Sequence, residues 1–343
     1  MTTSRTLCLA PAAALLAAAL TACGGGPAEE AAQPVGNATP APSPAAEDPA
    51  GDVVDLPEAV GGALDLVAAG ERLAVLGESG LAVGTPDEFR SGEPEVYETG
   101  EGCGQLSARG ATVAVACGET ALILDADSGE EPRRVELDAA HPATSAVVTG
   151  DGRLVTANDS DDEVAVYRDA KGGSPTDVIE VEAPTDRLVA VANHDGPDGV
   201  VRVWREDSTI QNVDLEGSRE GGRLRVGLGV GEASPGGSGV IVASDTAGDQ
   251  VAIYTSAGVV RLQQTSPVAE SPWGVAFDSS RGLALVASTK ENVLQGYSVA
   301  TGVPELEAEA PTIANVRSVA ATESGEIALV ADAGGQLQLI DEL

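Results

Sequence analysis

Leu154-Val155-Thr156-Ala157-Asn158, followed after a polar turn by Glu163-Val164-Ala165-Val166-Tyr167, decides the fold. Two apolar runs of strand length flank a cluster of Asn, Asp and Ser, residues whose side chains bond their own backbone and turn the chain. The first run recurs as Leu73-Ala74-Val75-Leu76, Val113-Ala114-Val115-Ala116, Val200-Val201-Arg202-Val203, Ile241-Val242-Ala243-Ser244, Leu285-Val286-Ala287-Ser288 and Leu329-Val330-Ala331-Asp332. With Val75, Val115, Val155, Val201, Val242, Val286 and Val330 as anchors, the spacings are 40, 40, 46, 41, 44 and 44 residues. No segment keeps a helical period over a dozen residues. A repeat of this length built from short strands is the signature of propeller blades. Each unit is a small sheet that cannot bury both faces alone, so units pack around an axis.

Every unit divides alike. A strand such as Ser145-Ala146-Val147-Val148 precedes the anchor run. A polar loop, a third strand and a tight turn (Asp127-Ser128-Gly129) follow, then a more polar outer strand such as Arg133-Arg134-Val135-Glu136-Leu137. These are strands a to d, from axis to rim. The seventh unit offers a third strand, Leu337-Gln338-Leu339-Ile340, and no fourth, whereas Asp52-Val53-Val54-Asp55-Leu56 is surplus before the first. The sequence therefore predicts an all-β, seven-bladed propeller over 51–343. Each blade has four antiparallel strands, and the N-terminal strand closes the ring on the last blade and removes an exposed edge.

The N-terminus reads as an address. Residues 1–22 hold one cation, Arg5, and an apolar run from Leu7 to Leu20 that is too short and Ala-rich to span a bilayer. The run ends Leu20-Thr21-Ala22-Cys23, which is similar to the lipobox of bacterial lipoproteins, in which small residues precede a cysteine that is acylated before cleavage. The resemblance implies a signal peptide over 1–22, lipidation of Cys23 with palmitate-type chains, and a protein anchored at the extracytoplasmic face of the cell membrane. Residues 23–50, rich in Gly, Ala, Pro and Glu, read as a flexible tether with a reach of roughly 30 Å.

Leu154–Asn158 with Glu163–Tyr167 resembles the YVTN-type propeller repeat, and Pro272-Trp273-Gly274-Val275-Ala276-Phe277-Asp278 is similar to the segment that opens such blades. Together with the lipobox, the chain resembles the YncE-like propeller lipoproteins of high-GC Gram-positive bacteria. The resemblance implies a fold and a compartment and leaves the reaction open. Relatives with lactonase activity keep a hydrolase as the enzyme alternative.

Charge narrows the partners. Lys and Arg total 19 against 54 Asp and Glu, a net charge of −35, and the only lysines are Lys171 and Lys290. Such a chain repels a phosphate backbone, so nucleic acid is not expected. The membrane contact falls to the lipid, and the expected partner is an envelope protein or a small cationic ligand bound by a monomer. Of four cysteines, Cys8 leaves with the signal and Cys23 takes lipid, so Cys103 and Cys117 remain as a pair. One precedes an inner strand and the other ends its antiparallel neighbour, which predicts a disulfide.

Binding residues are expected where the b–c loops and d–a connections surround the mouth of the channel. The b–c loops put a carboxylate there in every unit, among them Asp159, Asp161, Asp245, Glu291 and Asp332, and the d–a connections add His141, Arg187, Trp273 and Arg317. An anionic mouth suits a cationic ligand or a divalent cation. Acidic residues are equally what loops use for turns, and Trp273 serves either to stack a ligand or to pack the next blade. No cofactor is required by any motif. G-x-S-x-G, H-E-x-x-H and C-x-x-C are absent, so the sequence favours a non-catalytic binding or scaffolding module. For a lactonase-like site only His141, Arg187 and Arg317 can be assembled.

Overall fold

Alternation and turn chemistry produce the strands where the repeats put them. In the third unit Ser145–Val148, Leu154–Ala157, Glu163–Tyr167 and Asp177–Glu180 pair antiparallel in succession. The two middle strands are buried on both faces, which is why they read as continuous Val, Ala and Leu. Outer strands are wet on one side: in Arg133–Glu136 only Val135 is buried. This computed structural model describes Thr2 and Val35–Leu343, and the lipobox with Cys23 lies outside the described residues. Those residues form twenty-eight strands, a single 3-10 turn at Gly237–Gly239 and one short α-helix, Pro86–Ser91, which a Thr85–Glu88 capping box starts and left-handed Gly92 ends.

The expectation of seven separate blades needs correction. The hydrogen bonding makes five separate four-stranded blades and one eight-stranded sheet. In that sheet the second and third repeats are joined through their inner strands, Cys103–Arg109 and Ser145–Val148, by a parallel bridge between Gln105 and Ser145. The cause is Gly104. A Cβ there would stand 1.7 Å from the Thr144 carbonyl oxygen, so only glycine lets the two backbones approach closely enough to bond. A second bridge, Gly118 to Ala143, holds the same seam.

The inner strands follow one another around an axis, and the ring closes as the surplus strand suggested. Asp52–Asp55 pairs antiparallel with the last strand, Asp52 opposite Leu339 and Asp55 opposite Gln336. Leu73, Val75 and Phe89 of the first repeat share a buried cluster with Val330, Leu337 and Leu339 of the last. Each such side chain contributes about 1.5–3 kcal/mol when fully buried. Cys103 and Cys117 stand opposite one another in register and form the expected disulfide. Closing that short loop is worth about 3 kcal/mol on a chain-entropy argument.

Residues 35–50, assigned above to a flexible tether, are instead docked on the body. Gly36 N–H donates to Leu228 O, Ala41 N–H to Ser271 Oγ, Ser43 N–H to Asn315 Oδ1, and Ala50 N–H to Pro311 O. The segment carries no apolar periodicity because backbone bonds and small polar groups hold most of it, with Pro40 alone fully buried.

Deletion of Asp52–Asp55 strips the partner from the last strand and uncovers the Leu337–Leu339 cluster. Calorimetry of that variant is expected to show aggregation or a melting transition lowered by many degrees. A transition unchanged from wild type would mean that the ring holds without its closing strand.

Candidate functional site

Bulges at the mouth end of the inner strands build the most chemically dense region. The antiparallel register slips between Ala63 and Asp65, Cys103 and Leu106, Val230 and Ala233, Pro272 and Val275, and Val316 and Ser318. A bulge adds a residue and re-aims its side chain. The slipped stretches contain Glu232, Trp273 and Arg317, and Glu232 and Arg317 line a central cavity of about 100 Å³ between the inner strands.

Asp65 is the hub of the cavity wall. Its Oδ1 accepts from Leu66 N–H and Ser318 O–H, both at 2.8 Å, and its Oδ2 accepts from Leu106 N–H at 2.9 Å. Arg187 bridges across, with Nη2 3.4 Å from Asp65 Oδ2 and Nη1 2.9 Å from Glu232 Oε2, and Nη2 also donates to Leu106 O. Arg205 completes the chain by donating to Glu232 Oε1 and Gly231 O. The side chains of Asp65, Arg187 and Glu232 are 5%, 12% and 14% exposed. Burial works against the Arg187 charge, but the Asp65 and Glu232 carboxylates outweigh it and hold the guanidinium above its ordinary pKa. Five strands from five repeats are thus tied through one carboxylate, Asp65, and one fork-shaped cation, Arg187.

Beside this network the Trp273 ring is flanked by two cations, with Arg317 Cζ 5.0 Å and Arg205 Cζ 5.7 Å from its centroid. Arg317 also lies 3.3 Å from Asp332. Of the residues singled out in the sequence, the structure therefore brings Arg187, Trp273, Arg317 and Asp332 to the inner end of the mouth. It places His141 elsewhere. His141 Nδ1 is 2.8 Å from Glu163 Oε2 in a small pocket of the third repeat that Asp161 also lines, with Asp159 exposed nearby. His141, Arg187 and Arg317 do not form one group. Asp245 is 2% exposed, and its Oδ1 accepts from Leu228, Gly229 and Gly248 N–H. It organises a turn and is not presented to a ligand. Glu291 is exposed and accepts from Glu270 N–H at 3.0 Å. Among the described residues no three His, Cys, Asp or Glu side chains are placed to share a metal ion.

Sequence reasoning missed Asp65, Arg205, Glu232 and Ser318. The available signal was a lone carboxylate inside an inner-strand run, Ala63-Leu64-Asp65-Leu66-Val67 and Val230-Gly231-Glu232-Ala233. A buried charge is expensive unless paired, so such a position implies a partner across the channel.

Two outcomes test this wall. Arg187→Met leaves two buried carboxylates without their counter-charge and is expected to cost about 3–5 kcal/mol in denaturant unfolding, the range for breaking a buried pair. A loss below 1 kcal/mol, well short of that range, would mean the network does not hold the inner strands. Burial raises the Asp245 carboxyl above its ordinary value in spite of three N–H donors. A raised acid binds its proton more tightly folded than unfolded, so its contribution to stability falls as pH rises from the unfolded to the folded pKa. The stability of wild type minus Asp245→Asn should decline with rising pH through that window, and a flat difference would contradict it.

No family model matches the chain, and no curated protein does. Solved structures do. The chain is similar to one in the "Crystal Structure of Mitotic Checkpoint Complex", with TM-score 0.66, 15% identity, and 88% of this chain and 95% of that one covered. It is similar to the WD40 β-propeller domain of Doa1, with TM-score 0.61, 12% identity, and coverage of 86% and 96%. It is also similar to Kuenenia stuttgartiensis hydrazine synthase, with TM-score 0.61, 10% identity, and coverage of 83% and 96%. At these identities the likeness establishes the fold alone: the chain is a β-propeller.

Proposed function

We propose that this protein is a lipid-anchored, extracytoplasmic propeller that serves as a non-catalytic binding or scaffolding module at the cell envelope. The observation that carries the binding role is the sorting of charge. The cations of the channel wall are already paired with carboxylates of the same wall, Arg187 with Asp65 and Glu232, Arg205 with Glu232, and Arg317 with Asp332. The carboxylates of Asp159, Asp161 and Glu291 stand exposed on loops of the mouth face. A chain of net charge −35 whose channel-wall arginines are already paired favours a partner that offers a basic surface. Neighbours of this fold include a chain of a mitotic checkpoint complex, in keeping with a propeller as a protein-docking platform. The Cys103–Cys117 disulfide supports an oxidising compartment, and Leu20-Thr21-Ala22-Cys23 supports the anchor. Two acyl chains at about 0.8 kcal/mol per buried CH₂ hold a protein stably to a bilayer that would otherwise repel it.

The proposal is tested in cells and in extract. A palmitate analogue should label wild type and not Cys23→Ala, and equal labelling would remove the anchor. A pull-down of envelope proteins should weaken between about 0.1 M and 1 M salt, as the Debye length shortens from about 10 Å to about 3 Å. It should also weaken for the combined variant Asp159→Asn, Asp161→Asn and Asp162→Asn. Partners indifferent to both salt and variant would leave the acidic loops a solubilising surface only.

A further inference from the structure

The docked segment 36–50 sits on the mouth face in a particular way. Its centre is Pro40-Ala41-Pro42-Ser43-Pro44, with proline at every second position. Proline lacks an N–H and fixes φ near the extended polyproline value, so the chain is held straight and keeps donors only at the intervening residues. Those two donors both find side-chain acceptors in successive d–a connections. Ala41 N–H goes to Ser271 Oγ at 2.8 Å, and Ser43 N–H to Asn315 Oδ1 at 2.9 Å. Ser43 is read twice more, since its Oγ donates to Thr289 O at 2.5 Å and accepts from Asn315 N–H at 2.7 Å. Asn292 Nδ2 then donates to Pro44 O at 3.0 Å. Pro40 is buried, Ala41 and Ser43 are half-buried, and Pro42 and Pro44 face water.

Three features make this a recognition groove and not a passive resting place. The contacts come from Ser271, Thr289, Asn292 and Asn315, which belong to three different connections of the ring. Ser271 and Asn315 hold left-handed backbone, φ 59° and 57°, a conformation side chains rarely adopt. The segment from Val35 to Ala46 carries no charge, so its docking does not depend on the acidity of the body. From these we infer that the mouth face carries a peptide-binding groove for extended, uncharged segments with the alternation Pro-x-Pro-Ser-Pro, and that residues 36–46 occupy it in cis. A partner presenting such a segment competes with the chain's own strap. This groove borders one acidic loop, that of Glu291, but its own contacts are uncharged, so binding in it is expected to ignore salt where the acidic-loop interaction weakens.

The test uses the full chain, wild type and Ser43→Trp, whose side chain cannot be accommodated between Thr289 and Asn315. Hydrogen exchange in wild type should show the Ala41 and Ser43 amides protected, and in Ser43→Trp exchanging freely together with Asn315, which loses its Ser43 Oγ acceptor, while the amides inside the strands of the ring are unchanged. A fluorescent synthetic peptide of residues 38–46 should then bind Ser43→Trp at least about tenfold more tightly than wild type, a difference of one decade in Kd. The same affinity is expected at low and high salt, and Asn315→Ala combined with Ser43→Trp should abolish it. Unprotected amides in wild type would overturn the groove. So would a strap that stays protected in Ser43→Trp, because Ser43 would then not be read. Peptide affinity equal in wild type and Ser43→Trp, or indifferent to Asn315→Ala, would also overturn it.

Discussion

Pairing of Asp52–Asp55 with the last strand is the contact on which everything else rests. A four-stranded sheet whose middle strands are apolar on both faces must be covered on both, and in a row of such sheets the first and last are always left bare. Bending the row into a ring removes the problem only if the two ends meet. Here they meet through backbone bonds on the outside and through Leu73, Val75, Leu337 and Leu339 on the inside. Once the ring exists, the inner strands converge, and convergence creates the channel. Asp65 can reach Leu106, Arg187 and Ser318 only because three other repeats have been brought to its own.

The channel explains where the scarce cations went. With two lysines in the chain, arginine does the work of neutralisation, and its planar fork allows one side chain to satisfy two carboxylates at once. Arg187 does this between Asp65 and Glu232, and Glu232 in turn is shared with Arg205. What is left for the outside is a surplus of acid. The same composition that makes the surface repel anions leaves the channel wall with its carboxylates and arginines paired.

Much of this was legible in the sequence, for physical reasons that differ by element. The anchor runs were readable because strands buried on both faces must be continuous and apolar. The closing strand was readable because an unpaired edge is costly, and the disulfide because Cys103 and Cys117 end neighbouring strands. The joined eight-stranded sheet was not, since it depends on the missing Cβ of one glycine, Gly104. The docked segment was misread because it is held by N–H groups of Ala41 and Ser43, which leave no hydrophobic pattern. At the candidate site Arg187, Trp273 and Arg317 were found from their place in the d–a connections. Asp65 and Glu232 were hidden by bulges, because a one-residue slip moves a side chain to the opposite face. His141 and Asp245 share the right face, but one pairs with Glu163 and the other supports a turn.

The strap also bears on how the ring is assembled. Asp52 meets Leu339 across almost the whole body, the kind of distant pairing that makes β-proteins slow to fold. Yet the residues just before Asp52 are already fastened at Leu228, Ser271 and Thr289, on repeats that precede the last one. A segment fastened there cannot diffuse away, and its continuation is held beside the place where the last strand will form. The strap thus raises the effective concentration of the closing strand and turns the final long-range encounter into a short zippering step.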